Sequence, residues 1–141
     1  MQVDSVTKVI GIGGVFIKVK NPQDTMQWYE NVLGLTPNSN RRCSTFYWRD
    51  IGREISNGYT ILGYFKDDTE YFNPSDLPFM VNLVVNNLEY MLQKLRVAGA
   101  HVEREILHER NGRFGYAYDP DGVKLELWEP NGKGPDGQII E

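Results

Sequence analysis

The sequence predicts an α+β fold made of two copies of a strand–helix–three-strand unit. Strand-like alternation precedes a segment with helical spacing, and this order occurs twice, about 65 residues apart. A polar stretch over 66–78 separates the two copies. Because the helix of each copy must cover one sheet face, the other face is free to curve and enclose a space.

The first copy opens with a strand whose apolar positions are Val15, Ile17 and Val19. Asn21 and Pro22 then predict the start of a helix, since asparagine caps helices and proline is favoured at the first helical position. Gly34 predicts its end. Two more strands are predicted over 44–48 and 59–65, where β-branched and aromatic residues are concentrated.

The second copy repeats this order after the polar stretch. A strand is predicted over 81–85, and Asn87 is placed to cap a second helix, which Gly99 ends. The repeat is close, because the positions of Ile17 and Asn21 correspond to those of Leu83 and Asn87. The remaining strands are predicted around 101–105, 114–118 and 123–128.

Charge and cysteine content exclude several classes of function. The net charge is −4, whereas binding to a nucleic-acid backbone needs a basic surface. Cys43 is the single cysteine of the sequence, so no internal disulfide is possible, which suits a reducing cytoplasm. The N-terminal residues do not resemble a signal peptide, and no apolar run approaches the roughly 18 residues of a membrane span. We therefore expect a cytoplasmic protein with neither nucleic acid nor a membrane as partner.

The stretch DPDGVKLELWEP (119–130) predicts a turn and a strand with two different faces. Leu125 and Leu127 lie on one face, which we expect to pack against helices. Lys124, Glu126 and Trp128 lie on the other. Solvent explains the two charges but not the tryptophan, so this second face is predicted to line a cleft.

Three stretches resemble the glyoxalase / bleomycin-resistance / extradiol-dioxygenase group, the vicinal-oxygen-chelate fold. They are VFIKVKNPQDTMQWYENVLGL (15–35), VNLVVNNLEYMLQKLRVAGAHV (81–102) and GRFGYAYDPDGVKLELWEP (112–130). The resemblance implies one domain over 1–141, in which two paired βαβββ modules, at about 12–65 and 79–130, form a cupped mixed sheet around a cleft. It also implies a homodimer.

Metal-dependent members of this group hold one divalent ion with four side chains, two from each module. Carried onto this chain, one position falls on Glu126, a suitable ligand. The other three fall on Gly14, on Met80, and on Leu62 or Gly63, none of which suits a hard divalent ion. We therefore expect no divalent metal and no other cofactor.

Alternation within the predicted strands nominates the residues of the cleft. The candidates are Phe16, Lys18, Trp48, Leu62, Tyr64, Met80, Asn82, Arg113, Tyr116, Glu126 and Trp128. The phase of the strand near 44–49 stays open between Phe46 with Trp48 and Tyr47 with Arg49.

Two classes of function remain open. One is metal-free binding of a small aromatic or charged molecule, with Lys18 or Arg113 pairing with a ligand carboxylate, or Glu126 and Trp128 receiving a cation. The other is a lyase-like or dioxygenase-like enzyme with an unusual metal site or with Glu126 as a catalytic general base. A cup filled by its own aromatic side chains is the structural alternative to both.

Overall fold

A computed structural model describes residues 6–33, 35–48 and 58–140. Within these ranges seven strands form one sheet, and two helices lie on one side of it. In chain order the elements are β1 (Val9–Val19), α1 (Pro22–Leu33), β2 (Cys43–Tyr47), β3 (Tyr59–Lys66), β4 (Phe79–Val85), α2 (Leu88–Val97), β5 (Leu107–Glu109), β6 (Gly112–Tyr118) and β7 (Lys124–Pro130).

The sheet has the strand order β2-β3-β1-β4-β7-β6-β5. Strands β1 and β4 pair antiparallel at its centre. Each has a parallel neighbour on its outer side, β3 beside β1 and β7 beside β4. The strand order therefore has an approximate two-fold symmetry about the β1–β4 contact. The sheet is mixed and curled into a half-barrel, which confirms the predicted α+β fold with a cupped sheet.

Both helices begin where the sequence predicts. Asn21 Oδ1 accepts hydrogen bonds from the backbone N–H groups of Gln23 and Asp24, each 3.1 Å long. Asn87 Oδ1 accepts from the N–H of Tyr90, also at 3.1 Å. Each cap satisfies N–H groups that have no partner within the helix. Within the described residues, no helix is long and apolar enough to cross a membrane.

The helices pack on the convex side of the sheet. Helix α2 and strands β4, β6 and β7 share a core cluster of Val85, Leu88, Met91, Leu92, Ala117 and Leu127. Leu125 packs against this cluster, so the leucine face of the last strand lies on the helix side, as predicted. Gly115 lets α2 approach, because a Cβ there would lie 2.9 Å from Leu92. Helix α1 contributes the fully buried Met26.

One predicted strand is wrong. Residues 101–105 form a single bridge, between Val102 and Ala117, and the strand at this edge is β5 instead. The physical reason is composition, since the exposed, charged Arg104 and Glu105 follow Val102 and give no apolar face to bury. The corresponding place in the first half is also reduced to one bridge, between Pro37 and Ser44. Gly34, the predicted end of the first helix, lies outside the described residues.

An apolar strip runs along the convex side between the two helices. Helix α1 contacts β3, and helix α2 contacts β6 and β7 and packs against the end of β4 at Val85. Parts of the two central strands are left exposed between the helices. Val15 opposes Val81, and Ile17 opposes Phe79. Ile12 is 54% exposed, and Val15 and Phe79 are nearly 40% exposed. We call these residues, together with Leu83 opposite Ile12, the convex strip.

Candidate functional site

A cavity of about 260 Å³ lies on the concave side of the sheet. Its walls are mainly aromatic, formed by Phe16, Phe65, Tyr71, Phe114, Tyr116 and Trp128. Asn82 and Glu126 add polar groups to the lining, and the exposed Glu109 and Arg110 lie at its rim. The cavity therefore combines large π faces with a small number of polar groups, as small-molecule sites do.

One row of residues across five strands forms the floor of the cup. The strand register aligns Ile61 with Gly14, Gly14 with Asn82, Asn82 with Glu126, and Glu126 with Tyr116. Neighbours in such a row share a face and lie within side-chain reach of each other. Gly14 leaves a gap in the row that no side chain can fill, because a Cβ there would lie 2.6 Å from the carbonyl oxygen of Ile61.

The Glu126 carboxylate is 3% exposed and accepts three hydrogen bonds. Asn82 Nδ2 donates to Oε1 at 2.7 Å. The hydroxyls of Tyr116 and Tyr71 donate to Oε2 at 2.7 Å and 2.5 Å, and they also contact each other. A buried charge needs such donors, because leaving water without them is costly.

Burial raises the pKa of Tyr116 and of Tyr71, and the nearby charge of Glu126 raises both further. Both hydroxyls therefore keep their protons and remain donors at neutral pH. Tyr71 belongs to the polar stretch between the halves, and its ring stacks on Phe65 with a centroid distance of 5.3 Å. The linking segment thus supplies one wall of the cavity and one donor to its carboxylate.

Lys124 fixes the linking segment to the sheet. Its ammonium group donates to the carbonyl oxygens of Tyr71 at 2.7 Å and Asn73 at 3.0 Å. It also lies 4.7 Å from the centroid of the Tyr116 ring, a cation–π contact. Burial lowers the pKa of Lys124, and the charges of Glu103 and Glu126 oppose that shift.

Trp128 is held from three sides. Its Nε1 donates to the carbonyl oxygen of Asn111 at 2.9 Å. Phe114 stacks on it at an interplanar angle of 3°, and Tyr59 lies 5.1 Å away between ring centroids. Gly13 makes room for it, since a Cβ there would come within 2.9 Å of the indole ring. The indole is therefore a fixed part of the cavity wall.

Five of the sequence-nominated residues come together at this cavity, namely Phe16, Asn82, Tyr116, Glu126 and Trp128. Met80 lies on the same strand face as Asn82 but is fully buried. Lys18 reaches away, with its ammonium nitrogen 5.3 Å from the centroid of the Phe72 ring. Trp48 follows β2 and lines a separate cavity beside Gly58.

The predicted positions of three other residues are wrong. Leu62 and Tyr64 point to the helix side, where Tyr64 packs 5.4 Å from Tyr29 of α1 between ring centroids. Alternation could not find the phase of β3, because both of its faces are apolar or aromatic. Arg113 also lies on the helix side, where it forms ion pairs with Glu89 at 2.7 Å and Glu129 at 2.9 Å.

The register also decides the open phase of β2. Cys43, Thr45 and Tyr47 oppose residues of β3 on the cup face, so of the two alternatives it is Tyr47 that faces the cup. Phe46 points outward and is 40% exposed. Arg49 lies outside the described residues.

The prediction from alternation missed Tyr71 and Phe65. Phe65 was missed because alternation gave the wrong face of β3, although Gly63 indicates the correct one. A Cβ at Gly63 would lie 2.9 Å from the Phe16 ring, so a glycine in that strand marks the face that a large neighbour covers. Tyr71 and Phe72 form an aromatic pair within an otherwise polar segment, and Phe72 is fully buried.

Comparison with known proteins gives a consistent family. A model of the Glyoxalase/Bleomycin resistance protein/Dioxygenase superfamily matches residues 11–127. Methylmalonyl-CoA epimerase from Mycobacterium tuberculosis aligns over 93% of both chains, with 21% identity and a TM-score of 0.59. No curated protein sequence matches the chain.

Two larger enzymes contain a similar domain. The 2,3-dioxygenase LapB from Pseudomonas sp. KL28 matches 89% of this chain and 42% of its own, with 19% identity and a TM-score of 0.62. The Mn(II)-bound glyoxalase from Novosphingobium aromaticivorans matches 95% of this chain and 41% of its own, with 15% identity and a TM-score of 0.57. At these identities the likeness shows a shared fold.

The buried tyrosines predict a loss of stability at alkaline pH. In the unfolded chain tyrosine ionises near pH 10, whereas folding raises the pKa of Tyr71 and Tyr116 above 10.0. The folded state then holds more protons, so the free energy of unfolding falls as pH rises above about 10. In Tyr116→Phe this decline should be shallower. At neutral pH the free energy of unfolding of Tyr116→Phe should be about 1.5–3 kcal/mol lower than that of the wild-type protein, because the hydrogen bond from Tyr116 to the charged Glu126 is lost.

Urea unfolding at neutral pH and at a pH above 10 measures both effects. If the free energy of unfolding declines as steeply with pH in Tyr116→Phe and Tyr71→Phe as in the wild-type protein, then these hydroxyls are not buried against Glu126.

Proposed function

This chain belongs to the Glyoxalase/Bleomycin resistance protein/Dioxygenase superfamily, and we propose that its cup binds a small, largely aromatic molecule without a divalent metal. The observation that carries the proposal is the cavity of about 260 Å³, whose aromatic walls surround one buried carboxylate. Flat apolar molecules bind such walls through stacking and burial of surface area. The small volume favours a ligand with one or two rings.

The donor set at the family's metal positions argues for the metal-free form of this proposal. Glu126 is the one suitable ligand among them. The other positions hold Gly14, Met80 and Gly63, and Gly63 is the residue of the Leu62/Gly63 pair that faces the cup. Gly14 cannot be replaced by a ligating side chain without a clash with backbone. Within the described residues, no group of three or more His, Cys, Asp and Glu is placed to hold a metal ion.

The hydrogen bonds of Glu126 supply a second reason. Asn82, Tyr71 and Tyr116 occupy three of the roughly four lone-pair positions of the carboxylate. A metal ion would have to displace some of these donors. Among the described residues of the floor, no second anionic side chain is placed to complete its coordination.

A second candidate function is proton transfer, with Glu126 as general base. The observation that favours it is the contact of the carboxylate with two protonated hydroxyls on a cavity wall. It ranks lower, because the same hydrogen bonds occupy lone pairs that a base would use. The two candidates differ in what Glu126→Gln changes, since that substitution would abolish turnover by an enzyme but only alter affinity in a binding protein.

We also propose a homodimer, formed through the convex strip. Monomeric proteins rarely expose a continuous apolar surface of this kind across two central strands. A symmetric pair of copies would cover Ile12, Val15 and Phe79 on both partners. The single cysteine of the sequence supports a location in the cytoplasm, and the net charge of −4 argues against a nucleic-acid partner.

Binding can be tested with a set of one-ring and two-ring aromatic compounds and two matched tryptophan variants. Trp128 is 4% exposed and belongs to a core cluster, so phenylalanine is a better replacement than alanine. Trp128→Phe should weaken binding about threefold to tenfold through lost contact area. Trp28→Phe, on α1 and 53% exposed, should leave the affinity unchanged in calorimetric titration. If no compound binds, or both variants behave alike, the proposed function is wrong.

Metal content is tested by elemental analysis of protein purified without chelators. We expect less than one equivalent of Zn, Ni, Fe or Mn per chain, because three of the four family positions carry no suitable ligand. One bound ion per chain that disappears in Glu126→Ala would contradict the metal-free proposal.

The dimer is tested by light scattering. The chain mass is 16.2 kDa, and we expect twice this value for the wild-type protein at micromolar concentration. Ile12→Glu should shift the mass to that of the monomer, because it places a charge in an apolar interface. Ile139→Glu, at a position that is 77% exposed near the C-terminus, is the matched control. A wild-type monomer would rule out the dimer.

A further inference from the structure

We propose that the ligand of the cup is an aromatic cation, a flat ring system that carries an ammonium or a related protonated nitrogen group. This inference rests on the proposed function and specifies the charge of its ligand. It follows from the polarity of the cavity floor, where the one buried side-chain atom without a hydrogen-bond partner, among the described residues, is an acceptor.

The first observation is the orientation of Asn82. An ionised carboxylate accepts hydrogen bonds but donates none, so Asn82 must turn its amide nitrogen towards Glu126, and the distance of 2.7 Å fits this arrangement. Its oxygen is thereby turned away. Asn82 Oδ1 is buried and has no hydrogen-bond partner among the described residues. It lies against Gly13, where a Cβ would come within 1.9 Å of it.

The second observation is the balance of charge around the floor. Glu126 contributes a full negative charge, and the unpaired carbonyl dipole of Asn82 adds to the negative potential. Lys124 offsets part of this from behind the tyrosine rings, but its ammonium group also faces Glu103 at 4.0 Å and donates to backbone carbonyls. A carboxylate ligand at the floor would face the like charge of Glu126.

The third observation is the arrangement of the aromatic rings. The faces of aromatic rings carry partial negative charge and attract cations, tryptophan most strongly. Trp128, Tyr116 and Tyr71 all line the cavity beside Glu126. Among the described lining residues, the one basic side chain is Arg110. It is exposed at the rim of the cavity, next to the oppositely charged Glu109. The deep part of the cavity thus favours positive charge on the ligand.

A matched series of three probes tests this inference. Naphthylmethylammonium, naphthylmethanol and naphthoate share one ring system and differ in charge. By calorimetric titration we expect the cation to bind about tenfold more tightly than the neutral alcohol. Naphthoate should bind more weakly than both. A shift of the Trp128 indole N–H resonance on titration would place the probe in this cavity.

Glu126→Gln should remove the preference for the cation, so that the cation and the alcohol bind with similar affinity. Glu105→Gln makes the same change in net charge at an exposed position outside the cavity and should keep the preference. Unchanged affinity for the alcohol in Glu126→Gln shows that the cavity is intact. If that variant does not fold, the order of the three probes on the wild-type protein decides.

The outcomes separate the two claims. If naphthoate or the alcohol binds as tightly as the cation, or if Glu126→Gln keeps the preference, the cation inference is wrong while the cup remains a binding site. If none of the three probes binds, the proposed function itself fails.

Discussion

The Glu126 carboxylate lies inside a curved sheet, out of reach of bulk water, and its charge must be balanced there. An unpaired buried carboxylate would cost several kcal/mol. Strand register provides two of the three donors, because Asn82 and Tyr116 are the neighbours of Glu126 in one row across the sheet. Tyr71 provides the third from outside the sheet. The position of this one charge therefore determines which residues must occupy the floor of the cup.

Glu126 and Lys124 together join the two halves of the chain and the segment between them into one site. The backbone carbonyls of Tyr71 and Asn73 accept hydrogen bonds from Lys124, which is two residues from Glu126 on the same face of β7. The linking segment is thus held at both its backbone and its tyrosyl hydroxyl. Because the segment is held in this way, Tyr71 stacks on Phe65 and forms one aromatic wall of the cavity.

The sequence predicted the parts of the site where the two faces of a strand differ in polarity. Strand β7 is the clearest case, because Leu125 and Leu127 oppose Lys124, Glu126 and Trp128, and its orientation could be read directly. Strand β3 has no such contrast, so only pairing with β1 and β2 decides which face meets the cup.

Tyr71 could not be placed by periodicity at all. Its position depends on a long-range contact between a loop and the sheet, which local sequence patterns do not contain. The residue types at the helix starts, by contrast, predicted both helix caps, because Asn21 and Asn87 act through hydrogen bonds to residues close to them in sequence. Local interactions were thus predictable here, and the contact that completes the site was not.

The hydroxyl protons of Tyr71 and Tyr116 give the most direct test of this account. Proton NMR detects a tyrosyl hydroxyl when it is buried and hydrogen-bonded, because its exchange with water is then slow. We expect one such resonance from each of Tyr71 and Tyr116, and the loss of both in Glu126→Ala. The buried hydroxyl of Tyr59, which donates to the carbonyl oxygen of Lys133, should keep its resonance in that variant. If the hydroxyls of Tyr71 and Tyr116 exchange freely with water in the wild-type protein, or if their signals persist unchanged in Glu126→Ala, then Glu126 does not organise the cup.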